Sequence, residues 1–199
     1  MRYTAVVVLL TLAFVTVAPA AERVKVKLET SKGVIVLELD PTKAPITVNN
    51  FLEYVRAGQF DGTVFHRVIP DFMIQGGGFT AELSQKPARD PIVNEAANGL
   101  KNLKGSIAMA RTGEVNSATA QFFINLVDNA FLDHQNNTDQ GFGYCVFGRV
   151  TEGMQVVEAI GAVPTGAAGP FGRDVPKTPV VIKKATVVGA GVPAIRPSL

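Results

Sequence analysis

The sequence predicts a mostly β fold: a closed eight-stranded antiparallel β-barrel capped by two α-helices. Three observations carry this expectation. Eight short runs have strand character, Gly and Pro punctuate the chain between them, and only two stretches show helical periodicity. Closing such a sheet into a barrel removes the unpaired edges that an open sheet exposes.

Val24, Val26 and Leu28 alternate with Lys25, Lys27 and Glu29, and Ser31-Lys32-Gly33 turns the chain into Val34-Ile35-Val36-Leu37-Glu38-Leu39. That pattern reads as a β-hairpin. Pro45 suits a first helical turn, Val48, Phe51, Leu52 and Val55 recur at helical spacing, and Gly58 follows the last turn. Strand-like runs then occupy residues 63–68, 72–75, 105–110, 122–126 and 144–149. The spacing predicts a second helix over residues 151–160, with Met154, Val157 and Ile160 inward and Gly161 as its stop. The two helices would plug the barrel's open ends. Residues 163–179, rich in Gly and Pro, read as a long surface loop, residues 180–188 as the last strand, and residues 189–199 as a flexible tail.

The chain's 199 residues suit one domain with a full core. Arg2, the apolar run from Ala5 to Val17 and the small-x-small triplet Ala18-Pro19-Ala20 form a secretory signal, with cleavage expected after Ala20 or Ala21. The expected organisation is therefore a signal at 1–20, one domain at 21–188 and the tail. The apolar run is shorter than the roughly 20 residues of a spanning helix, and no cysteine follows the cleavage site to carry a lipid, so no membrane anchor is expected. Removing residues 1–20 takes away Arg2 and no acid, which lowers the net charge from +2 to +1. So balanced a chain argues against nucleic acid as a partner. Cys145 is the sole cysteine, which excludes an intramolecular disulfide, and its neighbours Tyr144, Val146 and Phe147 indicate a buried thiol.

Several motifs fail on context. Gly76-Gly77-Gly78-Phe79-Thr80-Ala81 fits the loose dinucleotide-binding pattern, but Pro87 and Pro91 arrive where a helix should open, so these glycines read as a tight loop. His66, His134 and Cys145 show no metal-ligand spacing, and no nucleophile elbow accompanies His66. No metal or cofactor is implied. Asn136-Asn137-Thr138 is a glycosylation sequon, meaningful only in a eukaryotic secretory pathway.

Arg67 stands out because its neighbours, Val64, Phe65, Val68, Ile69, Phe72, Met73 and Ile74, otherwise read as core. By spacing alone it could be paired to a carboxylate or snorkel from a strand end. The longer string decides more. Phe65-His66-Arg67-Val68-Ile69-Pro70 with Phe72-Met73-Ile74-Gln75-Gly76-Gly77 resembles the signature of the cyclophilin peptidyl-prolyl isomerases. Gly105-Ser106-Ile107-Ala108-Met109-Ala110, Gln121-Phe122-Phe123-Ile124, Phe131-Leu132-Asp133 and Val146-Phe147-Gly148-Arg149-Val150 are similar to the family's later motifs, in order.

The resemblance implies a cofactor-free isomerase acting on proline-containing unfolded or flexible polypeptides, with a monomer expected. It makes Arg67 the catalytic residue and places Phe72, Met73, Phe123, Leu132 and Tyr144 around a proline pocket. Gln75 would orient Arg67, Gln121 would help hold substrate, and Ala110 and Arg111 would offer main-chain groups. Arg111 replaces the common Asn and adds a positive charge at the groove. Phe131 stands where many eukaryotic members carry Trp, which implies weak cyclosporin binding. Tyr144 stands where those members often have His, after an enlarged loop at residues 134–143, and residues 80–91 form a segment shorter than the family's, which leaves the pocket beyond the proline site undefined. Phe131, Tyr144 and the signal together resemble the bacterial periplasmic branch, with secretion or a eukaryotic secretory compartment as the alternative. A non-catalytic proline-binding module or holdase on the same fold is the competing function.

Overall fold

The computed structural model describes residues 24–188; the expected signal and tail lie outside them. Ten strands, two α-helices and two short 3₁₀ turns follow one another: β1 Val24–Thr30, β2 Gly33–Leu39, α1 Pro45–Arg56, β3 Thr63–Ile69, β4 Met73–Thr80, β5 Ser106–Met109, β6 Phe122–Asn125, β7 Val146–Glu152, α2 Met154–Gly161, β8 Thr165–Ala168, β9 Phe171–Pro176 and β10 Ile182–Val188, with the 3₁₀ turns at Ala96–Asn98 and Ala130–Leu132. Eight strands form one antiparallel sheet in the order β10-β1-β2-β7-β5-β6-β4-β3, and β8 pairs only with β9. The mostly β character, the two helices and the opening hairpin are as the sequence pattern predicts.

The closed barrel is corrected. The sheet curls, but its end strands β10 and β3 share no ladder; one bridge, Val64 to Val181, joins them. Beside it the amides of Gly62 and Phe65 donate to the carbonyls of Ile182 and Val180. The segment that meets β3 carries Pro176 and Pro179, which lack the N–H a ladder needs, so pairing there stays discontinuous. Three other expectations shift. The loop at residues 163–179 folds as the β8–β9 hairpin. The second helix starts at Met154, because β7 runs on to Glu152 and Gly153 takes a left-handed conformation (φ +85) ahead of it. Gly76, Gly77 and Gly78 lie within β4 and not in a loop.

Helix α1 shows how distant parts are tied together. Pro45 opens it with no side-chain cap of its own. Glu95 supplies the cap from a remote loop: its carboxylate accepts from the amides of Ile46 and Thr47 (3.2 and 2.8 Å) and from the Thr47 hydroxyl (2.7 Å), an anion placed at the positive end of the helix. The buried face of α1 presents Phe51 to Phe60, Phe122 and Phe147, with ring centroids 5.0 to 5.5 Å apart. These rings fill the concave side of the sheet. Cys145 packs nearby with its thiol against Thr47, and burial pushes its pKa up to about 11, so it behaves as a hydrophobe.

Side-chain alternation divides the sheet into two working faces. Along β6, Phe122 and Ile124 point into the aromatic core, while Phe123 joins Met73, Ala108, Leu132 and Val146 in a second cluster on the outer side. Phe72 and Tyr144 lean on that outer cluster. It forms the floor of the site.

Candidate active site

Strand β3 carries an irregularity that decides the geometry. Phe65 pairs with Gly76, but the next pair is Arg67 with Gln75, so β3 advances two residues while β4 advances one. His66 is the extra residue of a β-bulge, a device that re-aims neighbouring side chains. Phe65 stays in the core, and both His66 and Arg67 line the outer cavity.

Arg67 and Gln75 face one another across the bulge, with Arg67 Nη1 donating to Gln75 Oε1 at 3.3 Å. Gln75 Nε2 in turn donates to Gln121 Oε1 at 2.9 Å. Arginine has donors and no acceptor. Gln75 must therefore turn its oxygen to Arg67 and its nitrogen to Gln121, so one permanent cation sets the direction of the whole chain. Gly78 makes room for it: a Cβ there would lie 2.5 Å from Gln121 Cγ.

The cavity holds about 330 Å³ and brings together Arg67, Phe72, Met73, Gln75, Ala110, Arg111, Gln121, Phe123, Leu132 and Tyr144. Phe131 is the one expected site residue outside its lining; it is 65% exposed and stacks on Phe72 with centroids 5.6 Å apart. The Arg111 side chain is engaged along its whole guanidinium. It donates to the carbonyls of Thr112, Gly113, Asp139 and Gly143 at 2.7 to 3.1 Å, and its guanidinium lies 4.9 Å from the Tyr144 ring centroid. It clamps the loop at residues 134–143 and the Tyr144 ring together.

Four features escape a reading of the sequence. His66, Phe79 and Phe171 line the same cavity, and a buried amide network stands behind its floor. Asn125, fully buried, donates to Asn102 Oδ1 and Ser106 Oγ, while Asn129 donates to Asn125 Oδ1 and to the Phe72 carbonyl. The turn carrying Phe72 and the turn carrying Leu132 are thereby fixed to one another. Single asparagines dispersed along a chain give no pattern that announces such a network.

Residues 25–187 match the family model "Cyclophilin type peptidyl-prolyl cis-trans isomerase/CLD". The chain belongs to the cyclophilins. It is 60% identical over 164 residues to "Peptidyl-prolyl cis-trans isomerase cyp18" of Streptomyces antibioticus, covering 82% of this chain and 98% of that protein. The identity is 51% over 185 residues to isomerase A of Dickeya dadantii, covering 92% and 95%, and 54% over 162 residues to isomerase B of Escherichia coli, covering 81% and 98%. A crystal structure of a cyclophilin type isomerase from Cryptosporidium parvum shares the fold, with a TM-score of 0.68 at 23% identity over 85% of this chain and all of that one.

In this cyclophilin His66 is 2% exposed, wedged against Phe79 and Phe171 with ring centroids 4.6 and 5.5 Å away. Its Nδ1 has no partner among the described residues. Burial, with the Arg67 charge adding to it, pushes the imidazole pKa from 6.5 down to about 4. The unfolded chain binds this proton near pH 6.5 and the folded chain only near pH 4, so folding loses stability as pH falls through that window. The full loss is roughly 3 kcal/mol. Urea denaturation of wild type and His66→Gln at a series of pH values checks this: the variant should lack about that much of the acid-side decline, and parallel curves would refute a buried neutral histidine.

Proposed function

We propose that this cyclophilin accelerates rotation about X-Pro bonds in exported, incompletely folded polypeptides, with Arg67 as the catalytic residue. The observation that carries the reading is a cavity whose lining sets an apolar group, Phe72, Met73, Phe123 and Leu132, beside the Arg67 guanidinium, which Gln75 holds in place. A planar amide resists rotation by about 18–20 kcal/mol because conjugation must be broken. As the bond twists, the proline nitrogen regains a lone pair that the planar ground state lacks. A donor aimed at that nitrogen stabilises the twisted state alone, which is the requirement for catalysis. Arginine meets it with a rigid fork that never deprotonates.

Around that step the remaining residues bind and hold. Phe72, Met73, Phe123 and Leu132 receive the proline ring and exclude water, with Tyr144 as the adjoining wall. Gln75 fixes Arg67, Gln121 fixes Gln75, and Ala110 offers main-chain groups to the substrate backbone. One charged hydrogen bond contributes about 1.5–3 kcal/mol, too little alone for a ~10⁵-fold acceleration that needs about 7 kcal/mol. Desolvation and immobilisation of one side of the peptide supply the rest. Arg67→Ala should therefore lower kcat/KM about 10- to 150-fold in a protease-coupled assay of an Ala-Pro peptide. Undiminished turnover would defeat the assignment, and wild type that fails to speed exchange would leave only a proline-binding module.

Phe131 sits at the rim, stacked on Phe72 and without an indole N–H to donate. Weak cyclosporin binding follows, and Phe131→Trp should lower the inhibitor concentration needed for half inhibition; an unchanged value would reject this account of the rim. Export is supported by the leader-like segment at residues 1–20. N-terminal sequencing of protein recovered from outside the cytoplasm should begin at Ala21 or Glu22, and an intact Met1 would overturn it.

A further inference from the structure

The cavity lining contains two permanent cations, Arg67 and Arg111, and no Asp or Glu. Among the described residues neither guanidinium pairs with a carboxylate. Arg111 satisfies its donors on four neutral carbonyls, and even Asp139 contributes only its backbone oxygen, at 2.7 Å. Carbonyls meet the hydrogen-bonding need but leave the net charge in place. The other basic side chain in the lining, His66, stays neutral until about pH 4. The near-neutral chain as a whole, at +2, therefore concentrates uncompensated positive charge around its working cavity.

Charges partly removed from water call for a counterion, and here the surrounding fold withholds one. Arg111 lies 4.9 Å from the Tyr144 ring centroid, and that ring meets Phe123 edge-on at 5.7 Å, so the cation stands one aromatic ring away from the apolar floor. A side chain next to a proline seated on that floor comes within its field. We propose that Arg111 is a specificity-determining residue and that the enzyme favours prolyl segments bearing a carboxylate, an Asp or Glu side chain, adjacent to the proline. This rests on the isomerase reading and adds a substrate class to it. Arg111 acts through its charge, over and above its clamping of the loop, and the attraction is therefore sensitive to salt.

The test measures exchange by NMR on peptides that differ only in Glu, Gln or Lys placed directly before or directly after the proline. In low salt kcat/KM for Glu should exceed that for Gln by about threefold to tenfold in at least one placement, the size of a partly screened ion pair, with Lys below Gln. The Glu/Gln ratio should fall towards one in about 0.5 M NaCl and in Arg111→Gln, and should persist in Arg111→Lys, which keeps the charge and loses the fork. Because each ratio compares two substrates on one protein, general damage to the loop cancels. A ratio near one in both placements overturns the proposal, as does a ratio that survives in Arg111→Gln. Should Arg111→Gln not fold, a wild-type ratio indifferent to salt, or one lost in Arg111→Lys, overturns it equally. Turnover of the Gln peptides without charge preference defeats this inference alone, whereas no turnover of any peptide defeats the isomerase reading beneath it.

Discussion

One extra residue in β3 governs this molecule's site. Were the ladder regular, Phe65 and Arg67 would share a face, and either a phenyl ring would leave the core or a guanidinium would enter it. The bulge at His66 separates them, leaving Phe65 at 0% exposure and Arg67 against Gln75 at the cavity. The choice is energetically lopsided. Withdrawing a Phe from the core forfeits about 1.5–3 kcal/mol of burial, and an unpaired buried cation is worse still. A local break in pairing, which leaves His66 opposite no partner, is the smaller penalty.

From that bulge the polarity of the site propagates by hydrogen-bond logic alone. A guanidinium that can only donate fixes Gln75, which fixes Gln121, which rests where Gly78 has no side chain. Each amide has one orientation compatible with its neighbour. An Arg-to-Lys change would keep the charge but surrender the planar fork that aims it. Rigidity on the other side of the cavity has a different origin, the buried amides of Asn125 and Asn129, which join the turns bearing Phe72 and Leu132. The two halves meet at β6, whose Phe123 faces Gln75 across the ladder. Arg67, Met73, Gln75 and Phe123 are thus set by strands, bulge included, while buried polar bonds fix the turns that carry Phe72 and Leu132.

Much of this was legible from the chain because strand alternation and helical spacing are local. The hairpin at Val24 to Leu39 and helix α1 with Pro45 at its start follow from period two and period 3.6. What escaped is non-local or ambiguous. Glu95 caps α1 from far along the chain, and nothing near Pro45 hints at it. The β8–β9 hairpin hides in Gly166, Ala167 and Ala168, which offer no apolar alternation to read. Gly76 to Gly78 look like a turn because glycine marks close approach as readily as it marks a bend; here Phe65, Phe122 and Gln121 press on them. Closure of the sheet was misjudged for a related reason, since the prolines at 176 and 179 interrupt pairing only once the topology brings them to β3. Ten of the eleven expected site residues do line one cavity, and the long ordered motifs carried that result where single residues could not.

Arg111 and Tyr144 form one unit. A guanidinium at position 111 needs a flat partner and several carbonyls; the loop at residues 134–143 supplies the carbonyls of Asp139 and Gly143, and Tyr144 supplies the ring. The loop needs the guanidinium in return, because the carbonyls of Asp139 and Gly143 both converge on it from a segment with few apolar anchors. Gly143 also accepts from Asn94 at 3.1 Å, which ties the same carbonyl to the loop that ends in Glu95 and so to the start of α1. A substitution at 111 would therefore be felt in the wall of the cavity and in the support of the first helix, and a compensating change should be sought in the loop and not in the floor.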